Sequence, residues 1–237
     1  MTAPRLSVVI PVYNEERILR SALAELCSGL DARRLDYEVV LAENGSTDRT
    51  PELLESLTAA NPRLRWFHCQ TPNYGAALKQ GMLEARGELV FCDEIDLCDL
   101  RFYDRALALL EDPSLDLVVG SKAAKGSSDR RPLIRRLATR VHNGLLRLLL
   151  DFKGTDTHGL KVFRRQRLLE VVSACVVDRD VFASEFVIRA WRAGRQVMEI
   201  PIQLEEKRRP SINLLKRVPN VLKNVARLVW VIRIQGG

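Results

Sequence analysis

"RLSVVIPVY" (residues 5–13) and "YEVVLAE" (37–43) are two apolar runs separated by a segment of helical period near residues 15–30. A strand covered on both faces reads as a continuous apolar run, unlike the alternating pattern of a one-sided sheet. Two such strands joined through a helix form a βαβ unit, whose crossover makes them parallel. The pattern then repeats: "RWFHCQ" (65–70), "ELVFCD" (88–93) and "LDLVVGS" (115–121) alternate with helix-period segments near 48–60, 75–86 and 102–111. The sequence therefore predicts an α/β fold, a Rossmann-like and mostly parallel sheet flanked by helices.

Ligands of such sheets bind beyond the carboxyl ends of the strands. Polar residues gather there: Tyr13, Asn14 and Glu15 after the first strand, Glu43, Asn44, Gly45 and Ser46 after the second. After the fourth comes "FCDEIDLCD" (91–99), with Asp93, Glu94, Asp96 and Asp99. At ~4 Å two like charges repel by about 1 kcal/mol in water and several times more near a protein surface. Either solvent disperses that repulsion or a cation cancels it. "ENGSTDRT" (43–50) also fits a turn and helix cap, with Ser46 or Thr47 capping and Asp48 favouring the helix N-terminus. "TPNYGAALKQG" (71–81) fits a helix start that needs Gly75 for close approach, with Lys79 an exposed lysine.

Composition narrows the class. With 237 residues, 46% hydrophobic and 28% charged, the chain is an ordinary globular protein. No run approaches the roughly 18 apolar residues of a spanning helix, and "MTAPRLSVVIPVYNEE" lacks the cleavage site of a signal peptide. Five scattered cysteines without a C-x-x-C pair suggest reduced thiols in a cytoplasmic setting. The net charge of +7 is concentrated in residues 130–147 and 205–233. Such a basic surface suits a polyanionic partner. With aromatics at 6% and none in the basic runs, nucleic acid is not expected.

Beyond residue 125, "SSDRRPLIRRLATRVHNGLLRLLLDF" reads as a long basic amphipathic helix, "GTDTHGLKVFRR" (154–165) as a loop with a short extended piece, and "VMEIPIQLEE" (197–206) as a strand. In the tail (211–234), Leu214, Leu215, Val218, Val221, Leu222, Val225, Leu228, Val229 and Ile232 fall on one side of a helical wheel. Pro219 is expected to kink or restart that helix. There is no repeat and no linker, so one domain (1–211) with a C-terminal amphipathic helix (212–237) is expected.

"SVVIPVYNEE", "ENGSTDRT", "NYGAALKQG", "ARGELVFCDEID" and "GLKVFRR", in this order, resemble the family 2 glycosyltransferases of the GT-A fold, and within them the dolichyl-phosphate mannose synthase-like enzymes. The resemblance covers roughly residues 5–211. It implies transfer of a hexose from a nucleotide-diphosphate sugar, GDP- or UDP-linked, with inversion and with Mg2+ or Mn2+. The family's Asp-x-Asp metal pair falls on Glu94-Ile95-Asp96, with Asp93 one residue early and Cys98 where a polar residue is common. Pro11, Tyr13, Asn14 and Glu15 match the segment around base and ribose, and Glu43 and Asn44 the acids near the base. On the acceptor side, Lys122 replaces an arginine, while Arg135, Thr139 and Asn143 keep a helical spacing that faces an acceptor phosphate. The same basic helix, with Arg130, Arg131 and Arg136, fits a solvated face. Asp156, His158 and Lys161 match the family's Gly-Phe-Arg loop, Glu185 an acid near the acceptor, and Arg208 and Ser211 a late phosphate-contacting element.

A polyprenyl phosphate acceptor is already an anion and needs no strong base. A soluble sugar or small-molecule hydroxyl needs one, and Asp93 or Glu185 is then the candidate. In the first reading the basic helices lie on a membrane surface, at the inner face, peripherally or through a separate membrane subunit. In the second they cover the sheet or form a homodimer contact.

Overall fold

The computed structural model describes residues 3–70, 72–129, 133–178, 181–204 and 214–234. The chain runs β1 (Leu6–Val12), α1 (Leu19–Ala32), β2 (Tyr37–Glu43), α2 (Thr50–Ala60), β3 (Leu64–His68), α3 (Tyr74–Glu84), β4 (Leu89–Cys92), α4 (Leu100–Leu109) and β5 (Leu117–Ser121). It continues through β6 (Ser128–Asp129), α5 (Leu133–Leu150), β7 (Lys161–Arg164), α6 (Arg165–Ala174), α7 (Phe182–Arg192), β8 (Val197–Pro201), β9 (Gln203–Leu204) and α8 (Leu214–Arg233). The main sheet has the order β3-β2-β1-β4-β7-β5-β8. Every pairing in it is parallel except those of β7, which is antiparallel to both β4 and β5. The α/β expectation holds.

The continuous apolar runs have a simple cause. Every residue of β1 and β2 is buried, and successive side chains feed opposite layers. Val8, Ile10 and Val12 join Val39, Leu41 and Phe91 in one core, where α1 buries Leu19, Leu23, Leu26 and Leu30. Val9 joins Val40, Val90 and Val119 in the other, beneath α3, α6 and α7. Gly75, at the start of α3, is required there: a Cβ would lie 2.2 Å from the carbonyl oxygen of Asp178.

Several expectations are corrected. Helices α6 and α7 were not anticipated. The extended piece at 161–164 is a central strand running against its neighbours. The strand expected at 197–206 divides, and β9 leaves the main sheet to pair with β6. The tail is one helix from Leu214 to Arg233, which continues past Pro219, its sixth residue, without restarting there. Of its wheel, Val225, Leu228 and Ile232 are buried as expected, but Leu222 is exposed and Val231 is buried instead. The side chains of residues 214–221 lie outside the described residues. Arg233 ties α8 to the end of α5, donating to the Leu149 carbonyl at 2.6 Å and pairing with Asp151 at 2.9 Å.

Candidate active site

Two loops at the carboxyl edge are zipped together. Asn14, in the left-handed region at φ 55°, donates its N–H to Ser46 Oγ at 2.9 Å, and Thr47 N returns a bond to Asn14 Oδ1 at 2.8 Å. Glu15 N donates to Thr50 Oγ1 and Glu16 N to Asp48 Oδ2. The N-cap of α2 is Arg49, without a side-chain cap bond; Asp48 accepts from Thr50 N at 3.0 Å just ahead of the helix, while Ser46 and Thr47 are engaged with Asn14. Tyr13 is exposed at the rim, whereas Pro11 is buried within β1, a step behind the edge.

Glu43 faces inward, fully buried. It accepts from Ser46 N at 2.6 Å and from His68 Nδ1. Burial pushes its carboxyl up, but the hydrogen bonds from Ser46 and His68 outweigh it, so the group stays ionised below the usual range. It braces the loop expected to meet the base. Asn44 Oδ1 accepts from Asn73 N at 2.5 Å, and Asn73 caps α3 through Ala76 N while its Nδ2 holds Asp178 at 2.8 Å. Lys79, read as an exposed lysine, instead donates to the carbonyls of Ser173 and Cys175, joining α3 to the end of α6.

The acidic stretch separates into distinct roles. Asp99 caps α4 through Arg101 N at 3.1 Å. Asp93 is buried, with Oδ2 accepting from the Tyr103 hydroxyl at 2.6 Å and Oδ1 from Glu94 N at 2.7 Å. Burial raises its pKa to about 7, against the opposing pull of those hydrogen bonds. Ile95 points into the core and pins the turn, leaving Glu94 and Asp96 half-buried on either side of it. Burial holds the Glu94 carboxyl above the usual range; Lys122 and Lys161 pull it down, and Asp96 and Asp156 push it up. Those five groups share one electrostatic neighbourhood.

Two features bring Lys161 and Asp156 there. Lys161 opens β7 in register with Cys92, the last residue of β4, so it lies beside the acidic turn. Its ammonium is buried and donates to the Gly159 carbonyl at 2.6 Å; burial lowers its pKa, while Asp156 and Glu94 favour its charge. Asp156 is buried and accepts from Lys122 N at 3.1 Å and His158 N at 2.9 Å. Burial alone would raise its pKa, but Lys122 and these bonds hold it below the usual range. His158 meets Thr157 Oγ1 through Nδ1 and packs edge-on to His142, with ring centroids 5.2 Å apart. Thr139 is half-buried on α5.

Glu185, expected near the acceptor, is turned into the fold. Fully buried on α7, it accepts from Val176 N and Val177 N and pairs with Arg189 at 2.8 Å, anchoring the 175–178 turn. The side chain of Arg135, and Arg208 and Ser211 altogether, lie outside the described residues. Tyr74 went unnoticed as a site residue. It follows the Asn73 cap and its phenol lies in the field of Glu94, Asp93 and Asp96. Its position inside "NYGAALKQG", just after a polar cap residue, was the available signal.

The donor set suits a divalent ion. Among the described residues no three His, Cys, Asp or Glu side chains form a closed cage. Mg2+ beside a diphosphate takes one or two carboxylates and fills its remaining positions with phosphate and water, and Mn2+ accepts the same oxygen donors. Two half-exposed carboxylates on one turn, Glu94 and Asp96, provide that arrangement.

A mostly parallel sheet with one reversed strand and an acidic turn after its fourth strand is the architecture of the GT-A glycosyltransferases. Residues 7–172 match the sequences described as Glycosyl transferase family 2, and the chain belongs to that family. Glycosyltransferase AglD of Haloferax volcanii is 29% identical over 97% of this chain, and dolichyl-phosphate beta-glucosyltransferase ALG5A of Trichomonas vaginalis is 29% identical over 85%. The chain spans 38% of the length of the first and 66% of the second. Among solved structures, glucosyl-3-phosphoglycerate synthase from Mycobacterium tuberculosis, in complex with Mn2+, UDP and phosphoglyceric acid, superposes with a TM-score of 0.64. It is 19% identical, over 95% of this chain and 78% of that one.

Proposed function

We propose that the protein transfers a hexose from a UDP- or GDP-linked donor to a polyprenyl phosphate, with metal assistance and inversion at the anomeric carbon. One observation carries the choice of acceptor: the two carboxylates expected as a base, Asp93 and Glu185, are committed inside the fold. Asp93 holds Tyr103 and Glu94 N, and Glu185 holds Arg189 and two backbone amides. A phosphate monoester arrives already ionised and lacks the need for either.

In this reading Glu94 and Asp96 hold Mg2+ or Mn2+, which supplies a Lewis acid for the diphosphate leaving group. The zipped loops around Asn14, Ser46 and Asn44, with Tyr13, Glu15 and Tyr74 at the rim, receive the nucleotide. Lys122 and Lys161 neutralise charge on the acceptor side, helped by His158, and Asp156 holds Lys122 in place. Thr139, Arg135, Arg208 and Ser211 are assigned to the same phosphate. Catalysis is alignment plus charge stabilisation. Curated relatives named as dolichyl-phosphate transferases support the lipid acceptor. The neighbour bound to phosphoglyceric acid supports the rival, a small phosphorylated acceptor.

The surface suits a lipid acceptor. Helix α5 exposes Leu133, Leu137, Val141 and Leu148 beside Arg140 and Arg147, and α8 exposes Leu222 and Trp230 beside Lys223 and Arg227, with Ile234 exposed just past its end. Among the described residues no helix is long and apolar enough to cross a membrane. Lying in the headgroup layer at the cytoplasmic face, such helices gain about 1 kcal/mol per cation from anionic lipid.

The test is transfer from UDP-glucose or GDP-mannose, with Mn2+, to a polyprenyl monophosphate and, separately, to 3-phosphoglycerate. Lipid-linked product that disappears in Asp96→Ala and in excess chelator is expected. Product on 3-phosphoglycerate alone overturns the lipid acceptor, and full activity in Asp96→Ala overturns the metal pair.

A further inference from the structure

Across the sheet, Cys92 of β4, Lys161 of β7, Val119 of β5 and Glu199 of β8 stand in register. Partners directly opposite point to one face, so Glu199 rises on the same side as Lys161, beneath the loop that carries Asp156 and His158. Its carboxylate accepts from Thr155 N at 2.7 and 2.9 Å, from Thr155 Oγ1 at 2.5 Å and from Asp156 N at 3.3 Å. The backbone is pressed onto it: a Cβ on Gly154 would lie 2.2 Å from Glu199 Oε1.

A carboxylate only accepts, and this fixes the direction of a longer chain. Thr155 must donate its hydroxyl proton to Glu199, so it accepts from Ser121 Oγ at 2.7 Å. Ser121 Oγ in turn accepts from Ala123 N at 3.1 Å and Ala124 N at 3.0 Å, shaping the turn that bears Lys122. Asp156, held by the same carboxylate, closes the circuit through Lys122 N. One side chain thus sets two loops. It stands on the last strand of the sheet order, half-buried and outside both hydrophobic cores.

We propose that Glu199 is a positioning residue of the acceptor site, fixing Lys122, Asp156 and His158 relative to one another. The inference rests on the reading that loops 121–124 and 154–161 flank the acceptor phosphate. The experiment compares the full chain with Glu199→Ala and Glu199→Gln, using a short-chain polyprenyl monophosphate in detergent. Loss of the outer partner of a metal ligand weakens a metal site about 10- to 100-fold; with an effect of the same order, in Glu199→Ala the acceptor KM is expected to rise about 10-fold or more, with donor KM and Tm close to wild type. Glu199→Gln keeps the shape but turns one acceptor into a donor facing Thr155, and shifts acceptor KM the same way by less. Equal loss of donor and acceptor affinity, or a drop in Tm alone, overturns the proposal.

Amide exchange separates this claim from the functional reading. If wild type modifies no polyprenyl phosphate, the acceptor assignment fails. The positioning claim then stands on faster exchange at Thr155, Asp156, Ala123 and Ala124 in Glu199→Ala, with Ser46 and Glu94 unchanged. Unaltered exchange at the first four overturns it independently.

Discussion

Asp93 shows how one position can be legible in type and hidden in role. Four acids after a buried strand announce a cation or a site, and Glu94 and Asp96 meet that description. That the first acid turns under Tyr103 depends on α4 bringing its ring into a stack on Phe91, with centroids 4.2 Å apart. No local pattern carries that contact. The contacts of Glu185 were hidden for the same reason, since its partners come from a turn some nine residues earlier in sequence. The elevated pKa of Asp93 has a definite sign. With the folded value near 7 and the ordinary aspartate value at 3.8, folding favours the protonated form, so the penalty is absent at low pH and grows until about pH 7. Three units correspond to about 4 kcal/mol. Asp93→Asn, which keeps an acceptor for Tyr103, should raise Tm at pH 8, and the gain should shrink toward pH 5 in paired thermal melts. A gain independent of pH contradicts the assignment.

At the scale of elements, period and run length located β1 to β5 and α1 to α5: β1, β2, β4 and β5 are buried throughout, whereas α5 leaves Leu133, Leu137, Val141 and Leu148 exposed. The direction of β7 was invisible: a short apolar strand reads alike whether parallel or antiparallel. The tail was legible as amphipathic, yet which arc meets the core depended on how α5 and the sheet receive it. Two substitutions separate the two arcs of α8. Leu228 is fully buried, so Leu228→Ala should destabilise by about 2–5 kcal/mol. Trp230 is exposed, so Trp230→Ser should leave chemical denaturation unchanged while lowering flotation with vesicles containing anionic lipid. If Trp230→Ser floats like wild type, α8 does not touch the bilayer.

For the molecule as a whole, the family was readable from ordered motifs, each weak alone, because each occupies a strand end and all strand ends share an edge. What composition gave was coarser: a net charge of +7 pointing to polyanions. Mass action stabilises a protein by about 2.7 kcal/mol at ligand a hundred times its Kd, so a thermal-shift series should reveal the donor. UDP or GDP with Mn2+ should raise Tm well beyond nucleotide or Mn2+ alone, and Asp96→Asn should abolish that synergy. Equal shifts with and without Mn2+ would contradict the shared site.

The reversed strand has one more effect. Because β7 runs against β4 and β5, the segment preceding it lies at the same edge as the segments following them. Residues 154–160 therefore sit at that edge bound to their neighbours, through Asp156 to Lys122 N and through Thr155 to Ser121 and Glu199. In the proposed reading the donor loops after β1 and β2 and the acceptor loops around β7 and β5 then lie on opposite sides of β4, so the acidic turn stands between the two substrates.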